Sequence, residues 1–255
     1  IFIAGTYGEI FSSTNKGVNW SQVSQPQSSS LSAYRINPFN DDQFMSITNQ
    51  SILKSSDGGV NWIEKGPSGL IVKDFSFASS NNIIAVTFGQ GIYKSTDSGE
   101  TWIVTGNSNG EYLSVEYTNN NVFFAGNNNG RIFKSTDGGN TWQSVIDAIN
   151  SVNDISSSGR DTIFASTFGN GIFYTFDGGG TWTKSTGGLV NLNMNCVEIL
   201  NDTITLSGGE NGLYSTSTIP PNLTSPNLIL PENGELNLQN NPKLKWSSVS
   251  QATSY

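Results

Sequence analysis

The sequence predicts an all-β fold, a β-propeller of about six four-stranded antiparallel blades, or seven in an intact ring, and three observations carry that prediction. One motif, Ser-x-Asp-x-Gly-x-x-Trp, recurs at a period of about forty residues. Between its copies, short runs alternate apolar and polar residues with the period of a strand, not that of a helix. Gly and Asn, which accept positive φ, punctuate the runs, as in Gly169-Asn170-Gly171 and Asp177-Gly178-Gly179.

The motifs, called boxes below, end at Trp20, Trp62, Trp102, Trp142 and Trp182, spacings of 42, 40, 40 and 40. The first carries Asn15 in the Asp place, and the fifth carries Thr175 in the Ser place. In the fifth unit, strands are expected over 152–156, 162–166, 171–175 and 181–184. Residues 2–5 read as a second strand, so the first unit lacks its inner strand. A sixth unit starts on schedule, with Gly212-Leu213-Tyr214 matching Gly171-Ile172-Phe173, but Thr218, Pro220 and Leu223 stand where Asp, Gly and Trp are due. Its outer strand is therefore unmarked. The propeller is assigned to 1–218, with incomplete first and last blades, and a linker to 219–226.

Each box falls in the turn between third and fourth strands. There Asn15, Asp57, Asp97, Asp137 and Asp177 can accept backbone N–H groups, while Gly17, Gly59, Gly99, Gly139 and Gly179 supply left-handed backbone. The Trp is expected to open the fourth strand and to bury ~150–250 Å² against the turn and a neighbouring blade. Losing a buried Trp costs about 3–5 kcal/mol, against about 1 kcal/mol for a side-chain bond to backbone. On those magnitudes the Trp dominates the box.

Composition removes several function classes. Among 255 residues there is no His and one Cys, Cys196, so Ser–His–Asp and Cys–His pairs and His/Cys metal sites cannot be built. No cofactor and no metal site is expected. A formal charge of −8 without a basic cluster repels phosphate backbones, so nucleic acid is not expected as a partner. No apolar run approaches the ~18 residues of a membrane span. Oligomeric state is not written in these features.

The boxes resemble the Asp-box (BNR) repeats of sialidases, sortilin-type receptors, xyloglucanase-type glycoside hydrolases and photosystem II assembly propellers. That resemblance covers about residues 1–223. It implies a propeller whose boxes lie on the outer part of each blade, away from the binding or catalytic centre. Residues 227–255, including Pro242-Lys243-Leu244-Lys245-Trp246, resemble the opening of a fibronectin type III module. A propeller followed by such a module is similar to modular secreted proteins of Gram-negative gliding and polymer-degrading bacteria, which implies an extracellular or cell-surface location.

Two sets of candidate site residues follow. The first strands carry Arg35, Asp74, Glu116, Asp154 and Glu198, one charge per blade. Such an acidic ring can bind a cation, a sugar or a basic peptide, can supply a carboxylate pair for glycoside hydrolysis, or can simply keep a channel wet. The second set is Tyr7, Phe88 and Phe168, which recur in Thr-Tyr-Gly or Thr-Phe-Gly turns between second and third strands. Those aromatics can stack on a sugar, grip a peptide, or pack blade against blade. Sialidase chemistry is disfavoured, because Arg131 and Arg160 are expected on opposite mouths. The function expected is a binding or interaction module for a glycan or a protein. A glycoside hydrolase using two of the channel carboxylates, and an assembly-factor-like propeller, are the alternatives.

Overall fold

The computed structural model describes residues 2–5, 10–13, 15–24, 31–36, 43–48, 52–59, 61–66, 69–106, 109–147, 150–159, 161–201, 204–217 and 227–230. The chain divides into two compact units, residues 1–152 and 153–255. All regular structure among the described residues is strand, because β-branched and aromatic residues alternate with polar ones between turn glycines.

The first unit holds four sheets, each running in chain order. Blade 1 is β1 (Phe2–Gly5), β2 (Ile10–Ser13) and β3 (Ser21–Ser24). Blade 2 is β4 (Leu31–Ile36), β5 (Phe44–Thr48), β6 (Ile52–Ser55) and β7 (Ile63–Glu64). Blade 3 is β8 (Val72–Phe77), β9 (Ile83–Thr87), β10 (Ile92–Ser95) and β11 (Ile103–Val104). Blade 4 is β12 (Tyr112–Tyr117), β13 (Phe123–Asn127), β14 (Arg131–Ser135) and β15 (Gln143–Asp147).

In the second unit, blade 5 is β16 (Val152–Ser158), whose first residue belongs to the preceding unit, β17 (Thr162–Thr167), β18 (Gly171–Thr175) and β19 (Thr183–Ser185). Blade 6 is β20 (Met194–Asn201), β21 (Ile204–Gly209), β22 (Gly212–Ser217) and β23 (Asn227–Leu230). All pairings are antiparallel. The sequence marks no outer strand for this last unit, yet Asn227 and Leu228 pair with Ser215 and Tyr214. A strand needs only a backbone edge to pair with, so it can form without a box before it. Residues 219–226 and 231–255 lie outside the described residues.

The cores lie between sheets as well as within them. Met45, Ile47 and Ile52 of blade 2 pack with Phe75, Phe77, Ile83 and Ala85 of blade 3, and Trp102 leans on that cluster. Ile84, Val86 and Ile92 of blade 3 pack with Val115, Phe123 and Ala125 of blade 4. In the second unit, Phe164 and Ile172 of blade 5 meet Met194, Val197 and Tyr214 of blade 6. In these three pairs one sheet buries a face against the next, as stacked repeats must.

Candidate functional site

The first strand of each blade is the edge of its sheet, so half of its N–H groups have no ladder partner. In blades 2, 3, 4 and 6 that strand also slips register at the same place, just before Ala33, Asp74, Ser114 and Cys196. Asp74 meets the need of the edge twice. Its Oδ1 accepts the N–H of Phe75 at 2.9 Å and its Oδ2 that of Val115, one blade on, at 3.0 Å. Asp154 does the same in the second unit, accepting the N–H groups of Ile155 and Val197, both at 3.0 Å. Two residues further along, Ser76 and Ser156 accept the N–H groups of Tyr117 and Ile199.

The register separates the charges that the sequence places in one ring. Asp74 pairs with Val86 on β9, and Ser114 holds the corresponding place in blade 4, opposite Gly126. Arg35, Glu116 and Glu198 stand one rung further along, opposite Met45, Phe124 and Leu206. The expectation of a single acidic ring is therefore corrected to two rungs. The cause is a two-residue offset, which counting back from the box Trp also gives: Asp74 and Asp154 lie 28 residues before Trp102 and Trp182, and Glu116 lies 26 before Trp142. Glu116 is half-buried and Glu198 exposed.

The box turns have a hub that the Asp-centred sequence reading missed. The buried Ser95 hydroxyl donates to Asp97 Oδ1 at 2.8 Å and accepts the Gly99 N–H at 2.8 Å. Ser13, Ser55, Ser135 and Thr175 make the same pair of bonds. The signal was present, since the hydroxyl recurs in every box while the carboxylate does not. Asn15 fits because its Oδ1 still accepts from Ser13 and from the Asn19 N–H. The five box glycines have φ of 83–88°.

The Trp indoles of the first four boxes donate to the carbonyl of the box glycine, at 2.9–3.2 Å. They precede the fourth strand and do not open it, and none is fully buried; Trp20 is 44% exposed. Their weight is therefore below that of a core Trp. Boxes also fasten neighbouring blades. Lys54 of blade 2 donates to the Ser98 carbonyl and to Glu100 in the blade 3 box, and Lys94 of blade 3 donates to Asn140 in the blade 4 box.

Hydrogen bonding sets the box electrostatics. The hydroxyl and N–H of Thr101 hold the Asp97 carboxyl down at about 2. For Asp137, desolvation pulls upward, but Thr141 and Ser135 still hold it at about 2. The Thr181 N–H, with the hydroxyls of Thr175 and Thr181, keeps Asp177 well below the usual carboxylate range. A carboxylate so satisfied is a poor proton donor near neutral pH.

The turns between second and third strands share one mouth with the connections that lead into the next blade. In the first unit, Thr87 Oγ1 donates to the Gly91 carbonyl at 2.8 Å, and the Gly91 N–H donates to the Gly110 carbonyl at 3.2 Å. Phe88 forms an antiparallel bridge with Glu111, so the two side chains are neighbours on one face. Glu111 Oε2 accepts from Asn128 Nδ2 at 3.0 Å, and the Lys73 ammonium lies 5.5 Å from the half-buried Phe88 ring.

The second unit repeats this geometry. Thr167 Oγ1 donates to the Gly171 carbonyl at 2.8 Å, and the Gly171 N–H to the Leu192 carbonyl at 3.0 Å. Asn193 thus stands where Glu111 stands, and its Nδ2 donates to Glu210 Oε2 at 3.0 Å. Phe168 is 48% exposed. Tyr7 and Arg160 lie outside the described residues, as does the side chain of Arg35. Arg131 is paired with Asp147 at 2.9 Å. Glu111, Asn128, Asn193 and Glu210 were not singled out from the sequence, because only the turn alignment brings them together.

No protein-family model and no curated protein matches the chain. Among solved structures, an ancestral GH74 enzyme aligns with a TM-score of 0.74 at 19% identity, over 91% of this chain and 37% of that one. The GH74 enzyme of Niastella koreensis aligns with a TM-score of 0.73 at 19% identity, over 88% and 44%. YCF48 bound to D1 peptide aligns with a TM-score of 0.57 at 18% identity, over 74% and 65%. The chain spans less than half the length of either GH74 enzyme. These likenesses establish the fold, an all-β propeller architecture with sheets of about four antiparallel strands.

Proposed function

We propose that this chain is an Asp-box (BNR) propeller, secreted or displayed at the cell surface, that acts as a binding module through the second-to-third-strand turns that carry Phe88 in the first unit and Phe168 in the second. The observation that carries this reading is the exposure of Phe168. Phe168 stays 48% exposed on a turn pinned by the Thr167 hydroxyl and the Gly171 N–H, whereas Phe75, Phe123 and Phe164 are buried. A rigid aromatic held at a mouth suits recognition. The solved neighbours include both enzymes and a peptide complex, so a glycan or a protein ligand fits the fold equally. The segment that resembles a fibronectin type III module, 227–255 in the sequence reading, has its first four residues, Asn227–Leu230, paired as the outer strand of blade 6, so in this reading the module follows from 231.

The hydrolase alternative loses two of its four carboxylates to architecture. Asp74 and Asp154 spend both oxygens on backbone N–H groups of the inner strands. Glu116 and Glu198 are left for it, one in each unit. The test is retention of the full chain on insoluble polysaccharides, with reducing ends counted in the supernatant. Retention that Phe168→Ala weakens, without sugar release, supports the module. Release of sugar that Glu116→Gln or Glu198→Gln abolishes refutes it.

A further inference from the structure

The turn pattern repeats every two blades. Phe88 and Phe168 are 80 residues apart, as are Asp74 and Asp154, and no aromatic stands at the corresponding turn positions of blades 4 and 6, which hold Asn128 and Glu210. Each Phe sits on an odd blade whose turn meets the connection of the even blade that follows: Phe88 bridges Glu111, and in the second unit the Gly171 N–H bonds the Leu192 carbonyl, next to Asn193. The pair is written in opposite order at the two places. In blade 4 the connection supplies Glu111 and the turn supplies Asn128; in blade 6 the connection supplies Asn193 and the turn supplies Glu210. Exchanging the two residue types keeps the amide-to-carboxylate bond at 3.0 Å in both. Asn191 Nδ2 also donates to Glu210 Oε2, at 3.2 Å.

Building on the mouth as the binding face, we propose that each Phe–Glu–Asn group is one sugar subsite, so that blades 3 and 4 form one and blades 5 and 6 form another for a neutral, repeating glycan. A pyranose has an apolar C–H face, which suits the Phe ring, and a rim of hydroxyls that donate and accept. The carboxylate is acceptor-only and accepts hydrogen bonds from hydroxyls, and the amide both donates and accepts. The amide bond holds the carboxylate in place before the ligand arrives, which lowers the cost of binding. A glycan built of like units offers the same face and the same hydroxyl rim to either subsite, each of which lies within one unit.

The two subsites are not equal. Lys73 lies over the Phe88 ring, while its counterpart in blade 5, Asn153, donates to the Met194 carbonyl at 2.8 Å. Phe168 is left the more accessible ring, and the blade 5–6 subsite is the stronger.

The test is calorimetric titration of the full chain with cellohexaose, laminarihexaose and chitohexaose, alongside a peptide library. At least one hexasaccharide binds. Glu111→Asn, Asn128→Glu, Asn193→Glu and Glu210→Asn each weaken the occupied subsite about tenfold, as loss of a bond to a charged group does. The exchanged pairs, Glu111→Asn with Asn128→Glu and Asn193→Glu with Glu210→Asn, restore binding. Phe168→Ala weakens binding more than Phe88→Ala. Thermal melts run beside the titrations separate lost binding from lost fold, and the exchanged pairs keep both residue types at the site.

If Phe168→Ala abolishes hexasaccharide binding while the four single Glu and Asn variants leave it unchanged, the pair is only a latch. The subsite is then refuted and the mouth reading stands. If no hexasaccharide binds but peptides do, and Phe168→Ala removes them, the glycan class is wrong while the mouth again stands. Binding indifferent to Phe168→Ala overturns both.

Discussion

Asp74→Asn probes how the blades are joined. The carboxylate is 7% exposed, and each of its oxygens accepts a backbone N–H, one from Phe75 in its own blade and one from Val115 in the next. Asn offers one acceptor oxygen in place of two, and its NH₂ must face the other N–H. A bond to a charged group is worth about 1.5–3 kcal/mol, and an orphaned buried N–H adds its desolvation cost, so a loss of about 2–4 kcal/mol is expected. For a chain of this size, each kcal/mol moves the midpoint by about 2–4 °C. The variant should therefore melt about 4–16 °C lower than the parent. Amide exchange at Val115 or Phe75 should quicken with it. A midpoint within about 1 °C of the parent, with both amides as protected as before, would refute the clamp.

Ser95→Ala removes the bond to Asp97 and leaves the buried Gly99 N–H without its acceptor. It should cost about 2–3 kcal/mol, more than the hydrogen-bond share of Trp102→Phe, about 1 kcal/mol, where the indole bonds go and a smaller aromatic ring remains; chemical denaturation of both variants checks the order. The box carboxylates also set an acid response. Folded values depressed to about 2 for Asp97 and Asp137 lie below the ordinary Asp value of about 3.9. Their stabilisation is therefore complete above about pH 4 and is lost as pH falls toward 2. Melting midpoints should be level from pH 7 to 5 and drop below about pH 4. Asp97→Asn with Asp137→Asn should flatten that drop, because Asn15 shows that an amide oxygen can serve the turn.

The strand plan was legible because period-two patterning and turn glycines act locally. The fifth unit's four strands fall where alternation places them, with the fourth starting at Thr183 and not Thr181. The outer strand Asn227–Leu230 was not legible, since no box announces it. The charged inner-strand residues were legible as a set, and their two rungs only against the forty-residue period, in which Ser114 and not Glu116 answers to Asp74. The Glu–Asn pairs were hidden for a related reason. Glu111 and Asn128 are 17 residues apart, as are Asn193 and Glu210, and the order of residue types is reversed between them.

The most direct measurement is amide chemical-shift mapping of the full chain during titration with the hexasaccharide that it binds. The account predicts shifts confined to the mouth: 88–91, 110–111, 128–130, 168–171, 190–193 and 210–212. Shifts centred on Glu116 and Glu198 in the inner strands, accompanied by cleavage of the hexasaccharide, would contradict it.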